Sequence, residues 1–243
     1  MRWLFLLLFV HFSSALFPQH QSGKVWIQTG AKGAVSPKWD WSIDITNRFG
    51  SVGLETFFTQ ASIKYKFKKW MRPSLDYRSI LDKDKYNNYS LSHRLNVNTD
   101  FKKQFKRFSF GVRLRYQYSF QSLQSSTKYD AEFDQAIRIK PQVAYDIKKS
   151  HFVPLCSIEY FYNPIYSPFG QRFTKYRLFI GTQLTLTGPH ELAFGYILDR
   201  EINLPNPHTK HILSVNYSYN LSAIKIAEDK KLKKSGGNDL FNE

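Results

Sequence analysis

A single cysteine, Cys156, stands among the 243 residues, which excludes an internal disulfide framework and a metal cluster built on cysteine. Acidic residues are scarce beside basic ones: 19 Asp and Glu face 35 Lys and Arg, a formal net charge of +16. Beyond the extreme N-terminus no apolar run approaches the roughly 20 residues of a transmembrane helix. Gly-x-Ser-x-Gly, His-Glu-x-x-His and a glycine-rich phosphate loop are all missing, and metal-ligand spacing is absent. The histidines at His20, His151, His190, His208 and His211 fall in expected turns, loops or the lead-in. No catalytic residue, metal or cofactor is expected.

The first residues set the expected compartment. Arg2 gives a positive start, Trp3 to Phe12 is apolar except for His11, and Ser13-Ser14-Ala15 supplies small residues for cleavage. An apolar core of about ten residues is too short to span a bilayer and reads as a cleavable signal peptide over 1–15. An exported chain does not normally meet nucleic acid. Its basic excess therefore suits lipopolysaccharide phosphates, anionic solutes or other polyanions, or simply forms a solvated surface.

What the chain has in abundance is aromatics, 17% of residues, with 15 Tyr and 21 Phe. They fall in a period of two. From Phe108 to Phe120 every even position is apolar or aromatic, and every odd one is small, polar or charged. On a strand these sets face opposite sides, and more than ten residues is the length a membrane barrel needs. The alternation returns over Trp39–Thr46, Phe57–Phe67, Leu75–Leu81, Leu91–Phe101, Phe133–Ile147, Phe152–Tyr162, Lys175–Leu186, Leu192–Asp199 and Leu213–Leu221. The fold expected is all-β, a closed antiparallel transmembrane barrel of about ten strands, or twelve, since bacterial outer-membrane barrels hold even numbers. A soluble barrel or sandwich would turn its apolar side chains inward, and its strands are usually shorter.

Short connections are expected near 70–73, 104–106, 148–150 and 188–190, and longer ones at 48–54, 82–88, 121–132, 164–171 and 200–210. With both termini periplasmic, every long connection lies outside and every short one inside. Lys24 to Val35 is either an extra strand at the seam or a periplasmic lead-in. The organisation is then signal peptide 1–15, lead-in 16–38, barrel 39–221 and a charged, flexible tail 222–243.

Tyr65-Lys66-Phe67, Leu75-Asp76-Tyr77-Arg78, His93-Arg94-Leu95 and the run from Phe108 through Arg113-Leu114-Arg115-Tyr116-Gln117 resemble, in order and spacing, a Bacteroidota family catalogued as domain of unknown function 2490 (DUF2490). Val25-Trp26 and Trp39 through Arg48 resemble that family's start, so the likeness covers roughly residues 25–221. The resemblance implies an outer-membrane β-barrel and carries no established activity. The charged tail after Leu221 departs from a family that tends to finish on its last strand.

If the apolar set faces lipid, the polar set lines the lumen. A charge network is expected there among Arg78, Arg94, Arg113, Arg115, Arg138, Lys140, Arg177, Asp100, Asp134 and Glu159, since unpaired buried charges are costly. Arg94, Arg113, Arg115 and Arg138 are expected to contact carboxylates such as Asp100, Asp134 and Glu159. The network either plugs the barrel or leaves a narrow, anion-preferring path. The function expected is a structural or binding barrel, or a narrow pore, in an outer membrane of a Gram-negative cell. The alternative is a lipid- or lipopolysaccharide-modifying acyl hydrolase, suggested by Ser90, Ser92 and His93 in one strand. Expected partners are membrane lipids and the barrel-assembly machinery. A basic ring at the periplasmic turns (Lys68, Lys69, Arg72, Lys102, Lys103, Lys106, Arg107, Lys148, Lys149), together with the tail lysines, would add anionic lipid or an acidic periplasmic protein.

Overall fold

The computed structural model describes residues 21–84, 88–121, 135–164, 172–186, 188–204 and 206–222. The signal peptide, the tail beyond Ser222 and Asp134 lie outside them. Eleven strands form one closed barrel: β1 (Gln21–Ser36), β2 (Trp39–Gly50), β3 (Gly53–Tyr65), β4 (Met71–Lys83), β5 (Tyr89–Phe105), β6 (Phe108–Gln121), β7 (Gln135–Tyr145), β8 (Phe152–Tyr162), β9 (Phe173–Thr185), β10 (His190–Glu201) and β11 (Thr209–Asn220). Consecutive strands pair antiparallel, so every interior edge is satisfied by its chain neighbour. A closed ring has no edge left to aggregate.

The count corrects the expected ten or twelve. The segment expected as a lead-in supplies β1, which pairs with β2 on one side and lies parallel to β11 on the other, from Gln21 opposite Thr209 to Lys32 opposite Asn220. Its pattern is hard to see because Gly23, Gly30, Ala31, Gly33 and Ala34 dilute the apolar alternation. Val25 and Ile27 nevertheless point outward, and Trp26 and Gln28 line the interior. An odd strand number forces the parallel closure, because the first and last strands of a meander then run the same way.

That closure overturns a second expectation. Gln21 and Asn220 sit at opposite ends of the barrel, so both cannot lie on one side of it. The three longest intervals between strands, after β6, β8 and β10, still share one end. At the other, hereafter the short-turn end, β1 runs into β2, β3 into β4, β5 into β6, β7 into β8 and β9 into β10. The expected long loop at 48–54 is a two-residue turn, and Arg48 belongs to β2.

Side chains alternate as the period of two requires. Phe110, Val112, Leu114, Tyr116, Tyr118 and Phe120 on β6 are exposed on the outer face, Phe110 by half of its surface. Gly111, Arg115, Gln117 and Ser119 between them are buried inside. The same holds for Ile43, Ile45, Leu75, Val97, Ile180, Phe194 and Leu213, all outward and exposed. The apolar surface is outside and the charges are inside, the inverse of a soluble domain.

Near the short turns the outer face is ringed by aromatics. Trp39 packs on Tyr65 at 4.7 Å between ring centroids, Trp70 on Phe101 at 6.0 Å, and Phe108 on Tyr145 at 4.9 Å. Tyr162 and Phe173 meet at 5.2 Å at the opposite end.

Candidate functional site in the barrel lumen

Inward-facing charges on β4 to β10 find one another across strands. On β6, Arg113 grips Asp100 of β5 with two nitrogens at 2.6 and 3.2 Å, and Lys64 of β3 reaches the same carboxylate at 3.3 Å. Arg115 donates to Asn98 of β5 at 2.5 Å and continues past it to Asp76 of β4 at 3.2 Å. Arg138 of β7 makes a two-pronged pair with Glu159 of β8 at 3.0 and 2.8 Å and adds Gln117 at 3.2 Å. Arg177 of β9 lies between Glu159 at 3.7 Å and Asp199 of β10 at 2.5 Å, while Lys175 meets Asp199 at 3.3 Å. Fork-to-carboxylate geometry of this kind is the strongest ionic contact a side chain makes.

Against the expected network, Arg113 is brought to Asp100 and Arg138 to Glu159. Arg115 is brought instead to Asp76, because its side chain spans two strands. Arg94 donates to Ser119 Oγ at 3.0 Å. Asp134 is outside the described residues.

Arg48 and the aromatic partners of the expected arginines were not foreseen. Arg78 stacks over Phe58 at 4.0 Å from the ring centroid, and Arg48 lies over the same ring at 4.9 Å and over Trp26 at 4.0 Å. Arg177 covers Trp26 at 5.0 Å and Phe161 at 5.3 Å, and Arg138 covers Phe161 at 4.5 Å. Guanidinium planes and aromatic rings thus alternate from Arg78 to Arg138. Each ring presents its negative face to a cation, a contact of about 2 kcal/mol when shielded from water. The inward phase of Trp26, Arg48, Phe58 and Phe161 continues that of neighbouring polar residues. Simple counting from Asp44 through Thr46 to Arg48, or from Gln60 back to Phe58, would have found two of the four.

All of these side chains except Phe161 line a cavity of about 340 Å³. Seven cations and two carboxylates, Asp44 and Glu159, line it. A neighbouring space of about 220 Å³ shares Gln28, Asp44, Ala193 and Asn216 with it and continues to Lys32, Ser42, Glu191 and Ser218. Those last residues lie toward the short-turn end, as their places in β1, β2, β10 and β11 show. The inward apolar side chains Ile80, Ala136, Phe161, Ile197 and Ile212 are buried in the half nearer the long connections. Phe179 fills the wall side of the cavity by lying over Gly181 and Gly195, which face each other on β9 and β10. A Cβ on either would sit within 2.6 to 2.8 Å of the ring, so only glycine leaves room for it.

His93 faces outward, where its Nδ1 shares a 2.8 Å hydrogen bond with the Tyr77 hydroxyl and its ring stacks between Tyr77 and Phe120. Ser92 is buried on the opposite face. The serine–histidine pair of an acyl hydrolase is not assembled here among the described residues. His190 and His211, expected in turns or loops, lie in β10 and β11 and pair the same way, with Tyr217 at 2.8 Å and Tyr196 at 2.5 Å.

A search of curated proteins found no relative with significant similarity. A family model described as protein of unknown function (DUF2490) matches residues 23–208, well over half of the chain and nearly the whole barrel. The eleven-stranded barrel with its basic, charge-networked lumen therefore belongs to the DUF2490 family.

Proposed function

We propose that this chain is an integral outer-membrane β-barrel that holds a ligand in its lumen rather than conducting through it. The observation that carries the reading is the outward alternation: a continuous apolar face on strands of 11 to 17 residues, with the charges turned inside. In water that face would have to be covered; in a bilayer it is solvated by acyl chains. The aromatic rings at both ends suit headgroup depth. The interior favours retention over passage, since paired charges and buried apolar side chains fill the half nearer the long connections.

With short turns on the periplasmic side, β1 begins at the cell-surface end and β11 ends in the periplasm. The periplasmic rim then carries exposed Lys38, Lys68, Lys69, Arg72, Lys102, Lys103, Lys106 and Arg107 beside Phe67, Trp70 and Phe105. Lys68 lies over Phe67 and Trp70, and Lys106 over Phe105. Such a ring suits the phosphate groups of the inner leaflet, at roughly 1 kcal/mol per cation near an anionic surface. An acidic periplasmic protein is the competing partner, and the barrel-assembly machinery is the expected route of insertion.

Fractionation and proteoliposome conductance test the two halves of the proposal. The chain should stay with outer-membrane vesicles through carbonate washing, and reconstituted protein should pass no steady current. Release by carbonate would overturn the membrane assignment; stable unitary conductance would overturn the closed lumen.

A further inference from the structure

Of the seven cations around the larger cavity, Arg113, Arg115, Arg138 and Arg177 each hold a carboxylate. Arg48, Arg78 and Lys140 have none within ion-pair distance among the described residues. Arg78 donates only to Gln60 Oε1, at 3.0 Å from Nε. Arg48 makes no hydrogen bond or ion pair there, and its buried Nε has no partner. Trp26 Nε1 and Thr46 Oγ1, on side chains lining the same cavity, are also buried without partners. Lys140 stands opposite Arg113 on the neighbouring strand, one cation beside another.

A buried donor left unmatched costs more than a matched one returns, and like charges across a ladder repel. Three cations and three unmatched polar atoms around one cavity describe a site short of negative charge. The shortage is local: Arg113, Arg115, Arg138 and Arg177, on the other wall of the same cavity, each have a carboxylate.

We infer that this cavity is a binding site for a soluble, compact, multiply charged phosphate compound that enters from the short-turn end. Guanidinium forks suit phosphate oxygens, and an ammonium such as Lys140 serves as a point charge beside them. A space of about 340 Å³ has room for a ligand larger than orthophosphate, and its charged lining suits a soluble compound better than an acyl chain. The smaller space toward Lys32 and Glu191 is the way in. The inference rests on the closed-lumen reading and adds a ligand class to it.

The site makes a prediction that a purely structural network would not. Lys140 is drawn to Glu159 only from beyond ion-pair distance and is opposed by burial and by Arg113, Arg138 and Arg177. Lys140→Met should therefore raise the ligand-free thermal midpoint while weakening ligand binding. The full chain, purified in detergent, is titrated calorimetrically with sodium pyrophosphate, with orthophosphate and with sodium chloride at matched ionic strength. One saturable site is expected for pyrophosphate, tighter than for orthophosphate, with no saturation by chloride. Arg78→Gln and Lys140→Met should each weaken it on the order of tenfold or more, the loss of one charge-assisted contact. Unsaturable heats, or unchanged affinity in Lys140→Met, would overturn the site. A lower ligand-free midpoint in Lys140→Met would show that this lysine has a structural partner and overturn it equally. Saturable binding of dihexanoyl phosphatidic acid with none of pyrophosphate would overturn the soluble ligand. Because binding is read in detergent, its failure is separable from failure of the membrane assignment, which fractionation reads.

Discussion

The two halves of the lumen solve the same electrostatic problem differently. Toward the short turns the ion pairs are wet: Lys66–Asp40 and Lys32–Glu191 keep a quarter or more of each side chain exposed. Deeper in the half nearer the long connections they are dry, and Arg138–Glu159, Arg115–Asp76 and Lys175–Asp199 keep a tenth or less, while Lys24–Glu55 and Lys210–Glu201 at that rim stay partly exposed. Wet charges need a partner little, because water screens them; dry charges need one badly. The dry half accordingly backs its ion pairs with bridging amides and stacked rings, whereas the wet half leaves its pairs, the Arg113–Asp100 fork among them, partly exposed. The contrast teaches that the barrel is closed by its chemistry at one end and left hydrated at the other.

The sharpest way to break this contrast is Glu159→Gln. It withdraws the carboxylate shared by Arg138 and Arg177, and leaving buried cations uncompensated costs about 3–5 kcal/mol. Heat-modified gel migration should show the unfolding midpoint falling steeply. A midpoint equal to the parent's would mean that this half is hydrated as well.

Arg113→Leu comes next. Arg113 is more than a third exposed, and Lys64 remains on Asp100 after it is gone. The expected loss is about 1–3 kcal/mol, the range for a hydrogen bond to a charged group. A loss as large as that of Glu159→Gln would place Arg113 in the dry half.

Asp40→Asn should do least, below about 1 kcal/mol, with the difference from the parent shrinking further as salt rises. A salt-independent loss would show the pair to be sealed from water.

The orientation assigned to these halves is checked by epitope tags placed after Lys103, at the short-turn end, and before Gln21. Intact cells should stain for the tag at Gln21 and not for the one after Lys103. The reverse pattern would invert the barrel.

The wall was readable from sequence because its two faces take alternate residues. Outward and inward positions on β6 differ in chemistry along the whole strand, so the phase of Phe108–Phe120 needed no further knowledge. On β1 the same rule was obscured, since glycine and alanine belong to neither set. The ion pairs were readable only in part. Opposite charges on adjacent strands, as in Arg113–Asp100 and Arg138–Glu159, follow once register is guessed. Arg115–Asp76 joins β6 to β4 over the intervening Asn98, a consequence of wall curvature and side-chain length that no strand pattern records. Arg48 and Phe58 were hidden for other reasons. Arg48 lies beside the two-residue turn at 51–52, next to a register shift at Arg48/Phe49, and the longer loop expected over 48–54 removed it from the wall. Phe58 fell inside an expected strand but is an aromatic in the polar, inward phase.

The central claim is that the apolar face of the wall meets lipid and the charged face meets the lumen. It is tested most directly by a nitroxide scan of β6 in reconstituted bilayers. Exposed Cys156 is first replaced by serine, and single cysteines are then placed from Ser109 to Arg115. Labels at Phe110, Val112 and Leu114 should collide with oxygen and be shielded from a water-soluble nickel chelate. Labels at Ser109, Gly111, Arg113 and Arg115 should be much less accessible to oxygen. A period of two with that phase is the result predicted; equal chelate access at Phe110, Val112 and Leu114 would contradict it.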